Sequence, residues 1–235
     1  MKSAVIRLGA VACLLGLGTP VHAQTSTAGV SFNGVSYTFA DLQYSFAKID
    51  LPSALGGGDL DGDGPYLNGS MALNRYWHAV AGYENLKIDD IEVDDGLGNI
   101  TVIPVDDVNT YNLGIGVNTP TMGRADRQYR GGLIDRYSLF ADARYQRRDS
   151  GGSDVNGWQL NAGFRSVNFT RMEVILGVGY EKFEGSDGDF TAQGQFLFQI
   201  IPNLQARGGI NWGDEVSRWN LGLRYHFGNW QLFGR

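Results

Sequence analysis

The sequence predicts a closed antiparallel up-and-down transmembrane β-barrel of about ten strands, with eight as the alternative count. Three observations predict it. Stretches such as Trp219-Asn220-Leu221-Gly222-Leu223-Arg224-Tyr225-His226-Phe227 alternate large apolar residues with small or polar ones. A period of two places these sets on opposite faces of a strand. The pattern recurs along the chain behind an N-terminal export signal. Finally, no run of about 18 apolar residues exists to cross a bilayer as a helix. The 34 glycines and 28 aromatic residues (5 Trp, 11 Tyr, 12 Phe) instead suit strands that turn only half their residues outward.

The 235 residues fit one barrel domain. Residues 1–23 read as a signal peptide: Lys2 and Arg7 are the positive region, Leu8 to Leu17 the apolar segment, and Val21-His22-Ala23 the cleavage site. Cys13 lies inside that signal and Ala10-Val11-Ala12 matches a lipoprotein box poorly, so the exported chain is expected to carry no thiol or disulfide. The formal charge is −6, and losing two cations brings it to −8. This balance argues against a nucleic-acid partner, which calls for a basic face.

Residues 24–35 are a short periplasmic lead-in, residues 36–227 the barrel and residues 228–235 a tail. Strand one, Ser36 to Ala47, turns Ala40, Leu42, Tyr44 and Phe46 to one face. Leu51 to Gly64 reads as a Gly/Asp-rich loop, and strand two runs from Pro65 to Leu73. Strand three carries Trp77, Ala79, Ala81 and Tyr83 outward. From Lys87 to Asp107, β-branched runs flank Asp94 to Asn99, which predicts a protruding hairpin. Strand four is Asn109 to Val117, and Asn118 to Ile134 is a long connection. Strands five to nine are Arg136–Gln146, Val155–Arg165, Met172–Lys182, Phe190–Ile200 and Leu204–Trp212, with Pro202-Asn203 as a tight turn; Trp219–Phe227 closes the ring on strand one. An even count puts both termini on the periplasmic side, so the external connections are Leu51–Gly64, Lys87–Asp107, Arg148–Asp154, Glu184–Asp189 and Gly213–Ser217.

The aromatics band on this threading. Tyr44, Tyr83, Tyr111, Tyr145, Trp158, Tyr180, Trp212 and Trp219 fall near the outer rim, and Trp77, Tyr137, Tyr225 and Phe227 near the periplasmic rim. Such girdles mark the two membrane interfaces.

Gly62-Asp63-Gly64-Pro65-Tyr66-Leu67-Asn68-Gly69-Ser70 with Tyr83, the strands Leu113-Gly114-Ile115-Gly116-Val117-Asn118 and Leu176-Gly177-Val178-Gly179-Tyr180, and the closing aromatic strand resemble small outer-membrane β-barrel proteins of the OmpA-membrane-domain type. The resemblance implies an outer-membrane location and recognition of Trp219–Phe227 by the barrel-assembly machinery. The chain departs from that pattern in its ten strands and in the eight residues that follow Phe227.

The inward face carries the candidate site, a lumen ion-pair network of Asp41, Glu84, Arg136, Asp142, Arg144, Arg165, Glu173, Glu181, Arg207, Arg218 and Arg224. Charges in a narrow lumen must pair or stay hydrated. The network reads as a rigid ion-paired plug, or alternatively as the wall of a narrow ion or solute path; about eight to ten strands enclose little more than side chains. His78 and His226 lack a neighbouring nucleophile and read as polar lumen or rim residues rather than as catalysts. Asp59-Leu60-Asp61-Gly62-Asp63-Gly64 starts like a calcium loop, but its twelfth position is Ser70 rather than an acid. A solvated turn is the plainer reading, with a weak divalent-cation site at Asp59, Asp61 and Asp63 as the alternative.

The external loops gather Asp89, Asp90, Glu92, Asp94, Asp95, Asp106 and Asp107, with Asp187, Asp189, Asp214 and Glu215 on others. Beside anionic lipopolysaccharide these acids would be bridged by divalent cations. The expected function is therefore structural, surface-interaction or adhesive. A narrow porin-like channel comes second and an outer-membrane lipid-modifying enzyme third. The expected partners are outer-membrane lipid and lipopolysaccharide, the protein is expected to be a monomer, and no cofactor, catalytic set or confident metal site is assigned.

Overall fold

A computed structural model describes residues 35–50, 59–94, 100–123, 136–167, 172–214 and 216–227. The expected signal, most of the lead-in and the tail lie outside them. The strands are β1 (Phe39–Asp50), β2 (Asp59–Ala72), β3 (Trp77–Ile88), β4 (Ile91–Asp94), β5 (Ile100–Ile103), β6 (Val108–Asn118), β7 (Met122–Gly123), β8 (Arg136–Ser150), β9 (Ser153–Val167), β10 (Met172–Phe183), β11 (Asp189–Ile201), β12 (Leu204–Gly213) and β13 (Val216–His226). β4 and β5 form a sheet of their own, and β7 pairs only with the start of β8. The other ten form a ring closed by antiparallel pairing of β1 with β13, from Phe39↔His226 to Ile49↔Val216, and of β6 with β8. One mouth of the ring holds the start of β1 and the end of β13 and is here termed the termini mouth; the opposite one is the loop mouth.

Alternation along each strand has the sense expected for lipid outside. On β1, Asp41, Gln43 and Ser45 are buried while Leu42, Tyr44 and Phe46 lie open at 59%, 44% and 47% exposure. Exposed Ile115, Val178, Leu221 and their neighbours continue that apolar band around the ring. Such a surface is costly in water, and a closed ring leaves no unpaired edge in hydrocarbon. The fold is a transmembrane β-barrel.

Three loops expected at the loop mouth are shorter than the sequence suggests. The Leu51–Gly64 loop gives way to strand from Asp59 onward, paired to β1 through Asp50↔Asp59 and Gly62↔Ala47. Its glycines mark close approach rather than a turn: a Cβ on Gly64 would lie 1.8 Å from the Asn85 carbonyl oxygen of β3. The Arg148–Asp154 loop contracts to Gly151-Gly152, whose φ values of 55° and 88° give the tight turn that suits a β-hairpin. The Gly213–Ser217 loop shrinks as β12 reaches Gly213 and β13 starts at Val216. Strands at this mouth therefore rise above the apolar band. Asn203 takes φ 70° in the expected Pro202-Asn203 turn, and β4 with β5 supplies the expected protruding hairpin, its tip at 95–99 lying outside the described residues. At the other end, the first strand begins at Phe39 instead of Ser36, and the residues before it cross the termini mouth.

Candidate functional site

The lumen is stacked in layers. Nearest the termini mouth, Arg224 on β13 donates from Nε to Asp41 Oδ1 on β1 at 2.7 Å, and Arg207 on β12 also pairs with Asp41. Arg224 Nη1 lies 3.7 Å from Glu173 of β10, which in turn pairs with Arg165 of β9. In ring order β9 is the fifth strand from β1 in either direction. The chain of charges thus runs along a full diameter. All five side chains are 4% exposed or less, so each charge depends on its partners in place of water. Gln205 donates to Glu173 at 3.2 Å and holds His226 Nε2 through its Oε1 at 2.8 Å. The Arg224 guanidinium lies 3.7 Å from the Phe39 ring centroid, which adds a cation–π contact.

Toward the loop mouth the packing loosens. Arg144 pairs with Asp142 at 2.6 Å on the same strand, and Asn161 donates to Asp142 at 2.9 Å. Arg218 and Glu84 approach only to 3.7 Å. Arg144, Arg218 and Glu84 border a cavity of about 90 Å³ together with Tyr66, Gln146 and Glu181. Amide oxygens of Asn112, Gln146, Asn211 and Asn220 are buried around it without a protein partner. At about 30 Å³ per water, the space holds roughly three waters, enough donors to serve those oxygens. Above it, inward Ala47, Leu86 and Ile88 pack with Ile49, Leu60, Val105, Val108 and Val216 as an apolar collar on one side of the loop mouth.

The sequence-derived set therefore splits. Asp41, Arg165, Glu173, Arg207 and Arg224 come together across the axis; Glu84, Arg144, Glu181 and Arg218 surround the chamber, and Asp142 pairs with Arg144 beside it. Arg136 sits half-buried at the start of β8, opposite Val167, and makes no ion pair among the described residues. Several lumen residues escaped the sequence reading. Gln205 lies two residues from the recognised Arg207 and was findable by parity, whereas strand two offered no recognised inward residue from which to place Tyr66. Arg148, placed by sequence in a loop, lies over the Phe183 ring at 4.0 Å, and only the added length of β8 brings it into the lumen. His78 bonds Asn118 Oδ1 at 3.2 Å and His226 bonds Gln205; both are buried lumen residues held by side-chain amides and packed on Tyr37 and Phe39 respectively.

The girdle residues lie at the two rims of the apolar band. At the loop rim, Tyr44, Tyr111, Tyr145, Trp158, Trp212 and Trp219 are exposed, while Tyr83 and Tyr180 are half-covered by ring contacts with Tyr111 and Trp158. Their hydroxyls reach polar groups above: Tyr83 to Asn109 Oδ1 at 2.8 Å, Tyr145 to Asn156 Oδ1 at 2.5 Å, and Tyr44 to Asp63. At the other rim, Tyr137 packs on Phe164, and Tyr225 on Phe227, with Trp77 exposed nearby. Phe46 and Phe190 join the loop-rim band through Tyr44 and Tyr180.

The calcium-like stretch needs correction. Asp59, Asp61 and Asp63 are not in a loop; they are alternate residues on the outer face of β2, where a strand spaces them along a line. Lys48 pairs with Asp59 at 2.5 Å and Tyr44 donates to Asp63. Among the described residues no three acids, histidines or cysteines converge as a metal site.

No family model matches the chain, and no curated protein does. Solved structures similar to it include the KdgM porin in complex with disordered oligogalacturonate, at 12% identity over 80% of this chain and 99% of that one, with a TM-score of 0.39. The β domain of the Bordetella autotransporter BrkA is similar at 10% identity over 82% and 100%, TM-score 0.46. The attachment invasion locus protein Ail of Yersinia pestis is similar at 14% identity over 81% and 99%, TM-score 0.33. None carries a functional residue over to this chain.

Proposed function

We propose that this protein is an outer-membrane barrel whose role is structural and surface-interacting: a rigid, non-conducting staple that presents acidic loops outside the cell. The observation that carries this reading is the diametric chain Asp41–Arg207/Arg224–Glu173–Arg165, which spans the lumen with mutually paired, buried charge. A solute would have to break buried pairs to pass, and breaking such a pair costs about 3–5 kcal/mol. The loop mouth then faces outward and the termini mouth faces the periplasm. Lipopolysaccharide is the surface partner, bridged by divalent cations to Asp89, Asp90, Asp106 and Asp107, and the assembly machinery reads Trp219–Phe227.

The competing reading is a narrow channel, and the polar chamber beside Arg144 and Arg218 favours it. Planar-bilayer recordings of the refolded protein decide between them. The expected trace is silent, and discrete open steps that change with Arg218→Ala would establish the channel instead. An enzymatic role would require a nucleophile beside a base, and a lipid A mass shift dependent on the protein would establish it.

A further inference from the structure

The residues just before β1 do not follow the barrel wall. Val35, Ser36 and Tyr37 precede the first ladder pair, Phe39↔His226, and run across the termini mouth. The Ser36 carbonyl accepts from Arg165 Nη1 at 2.6 Å. Arg165 is on β9, diametrically opposite β1. The Tyr37 hydroxyl meets Ser138 Oγ of β8 at 3.0 Å, and its ring stacks on His78 of β3 with centroids 4.7 Å apart. The Val35 amide donates to Thr121 Oγ1 at 3.2 Å, just past the end of β6. On the near side, Ser70 Oγ donates to the Tyr37 carbonyl at 2.7 Å. One short segment therefore touches the far wall, the near wall and β3 between them.

We propose that Val35–Tyr37 is a releasable strap that closes the termini mouth and latches the ion-pair chain above it. The inference rests on the sealed-barrel reading and adds a device to it. Release is physically accessible because the strap is held differently from the wall. The wall is a continuous ladder, whereas each strap contact is a single hydrogen bond or ring contact that water can replace. Arg165 joins the two parts, since one guanidinium holds both Ser36 and Glu173. It also lies within 5.1 Å of the Tyr37 ring centroid. Removing the strap would admit water from the termini side to Arg165, Glu173 and Gln205.

The test uses the full chain with Cys13→Ser and a reporter at Gln205→Cys, a position 3% exposed whose hydrogen bonds go to Glu173 and His226 rather than to Val35–Tyr37. With the strap intact, a water-soluble maleimide should leave this thiol unlabelled in the folded protein. Adding Tyr37→Gly should raise the labelling rate by about tenfold or more, the scale of one lost net hydrogen bond and ring contact, while heat-modifiable gel mobility stays that of a folded barrel. An unchanged rate in a folded Tyr37→Gly protein overturns the strap but leaves the silent barrel intact. Open channels in the unmodified protein overturn the sealed barrel itself. If Tyr37→Gly does not fold, the pair Val35→Cys with Thr121→Cys decides: oxidation should cross-link it in the Cys13→Ser background, and failure to cross-link overturns the proposed placement.

Discussion

The two halves of the lumen are built from the same residue types and behave as different materials. In the termini half, three arginines meet two acids across the axis with almost no exposure. In the loop half, Arg218 and Glu84 stand 3.7 Å apart at 18% and 13% exposure beside a cavity of about 90 Å³. The difference lies in what fills the space between the charges. Phe39 and Tyr37 supply bulk under Arg224 and Arg165, whereas the loop half leaves room for water. An inward charge in a barrel is thus a brace or a hydrated wall group according to its neighbours.

Breaking the brace should produce the largest effect. Asp41 is the acid shared by Arg207 and Arg224, so Asp41→Ala leaves two guanidiniums buried beside one another. The expected loss is about 3–5 kcal/mol, read as a lowered urea midpoint for unfolding from lipid vesicles. The outer face provides the next step. Val178 sits in the apolar band, 64% exposed, between Ala162 and Ala192 on the flanking strands. Val178→Arg should cost about 2–4 kcal/mol in the same assay because it puts a cation into hydrocarbon. A negligible cost there would mean that this face does not meet lipid.

How much of this was legible beforehand follows from period and parity. The ring, the β1–β13 closure and the inward set were readable because alternation fixes facing residue by residue. Asp41 and Arg224 face one another in register, and their partnership follows once the first and last strands are joined. The link from Arg224 to Glu173 was not readable, because it crosses the lumen between strands that share no ladder. The strands' extra length at the loop mouth was hidden by composition. Gly62 and Gly64 among aspartates look like a turn, while their physical role is to let β2 lie close to the Asn85 backbone. The strap was missed because Val35–Tyr37 has no period, and its contacts are set by the far wall.

Glu84→Ala sharpens the contrast from the weak side. Its carboxylate borders the chamber and its arginine lies no nearer than 3.7 Å, so the expected cost is about 1–2 kcal/mol, below that of Asp41→Ala. Equal costs for the two would show that both halves are dry, and the chamber would then need another description.

The smallest effect belongs to a pair outside the membrane altogether. Lys48 of β1, which faces Asp61 in register, reaches diagonally to Asp59 of β2 above the aromatic band, at 58% and 43% side-chain exposure. The hydrogen bond and charge of Lys48 hold the Asp59 carboxyl below its ordinary range, and Asp59 raises the Lys48 ammonium in return. For a depressed carboxyl, the linked stability is fully present above the pKa Asp59 has in the unfolded chain and is lost as pH falls through its folded value. For a raised ammonium, it is present below the unfolded pKa and lost as pH rises through the folded one. Because both groups are open to solvent, the stability at stake is slight and should fade with salt. Lys48→Gln should therefore leave the urea midpoint where it was while moving the Asp59 titration, followed by carboxyl carbon NMR, back up toward an ordinary aspartate. A midpoint shift comparable to that of Asp41→Ala would mean that exposed and buried pairs contribute alike in this barrel, and the distinction between brace and wall group would fail at its clearest case.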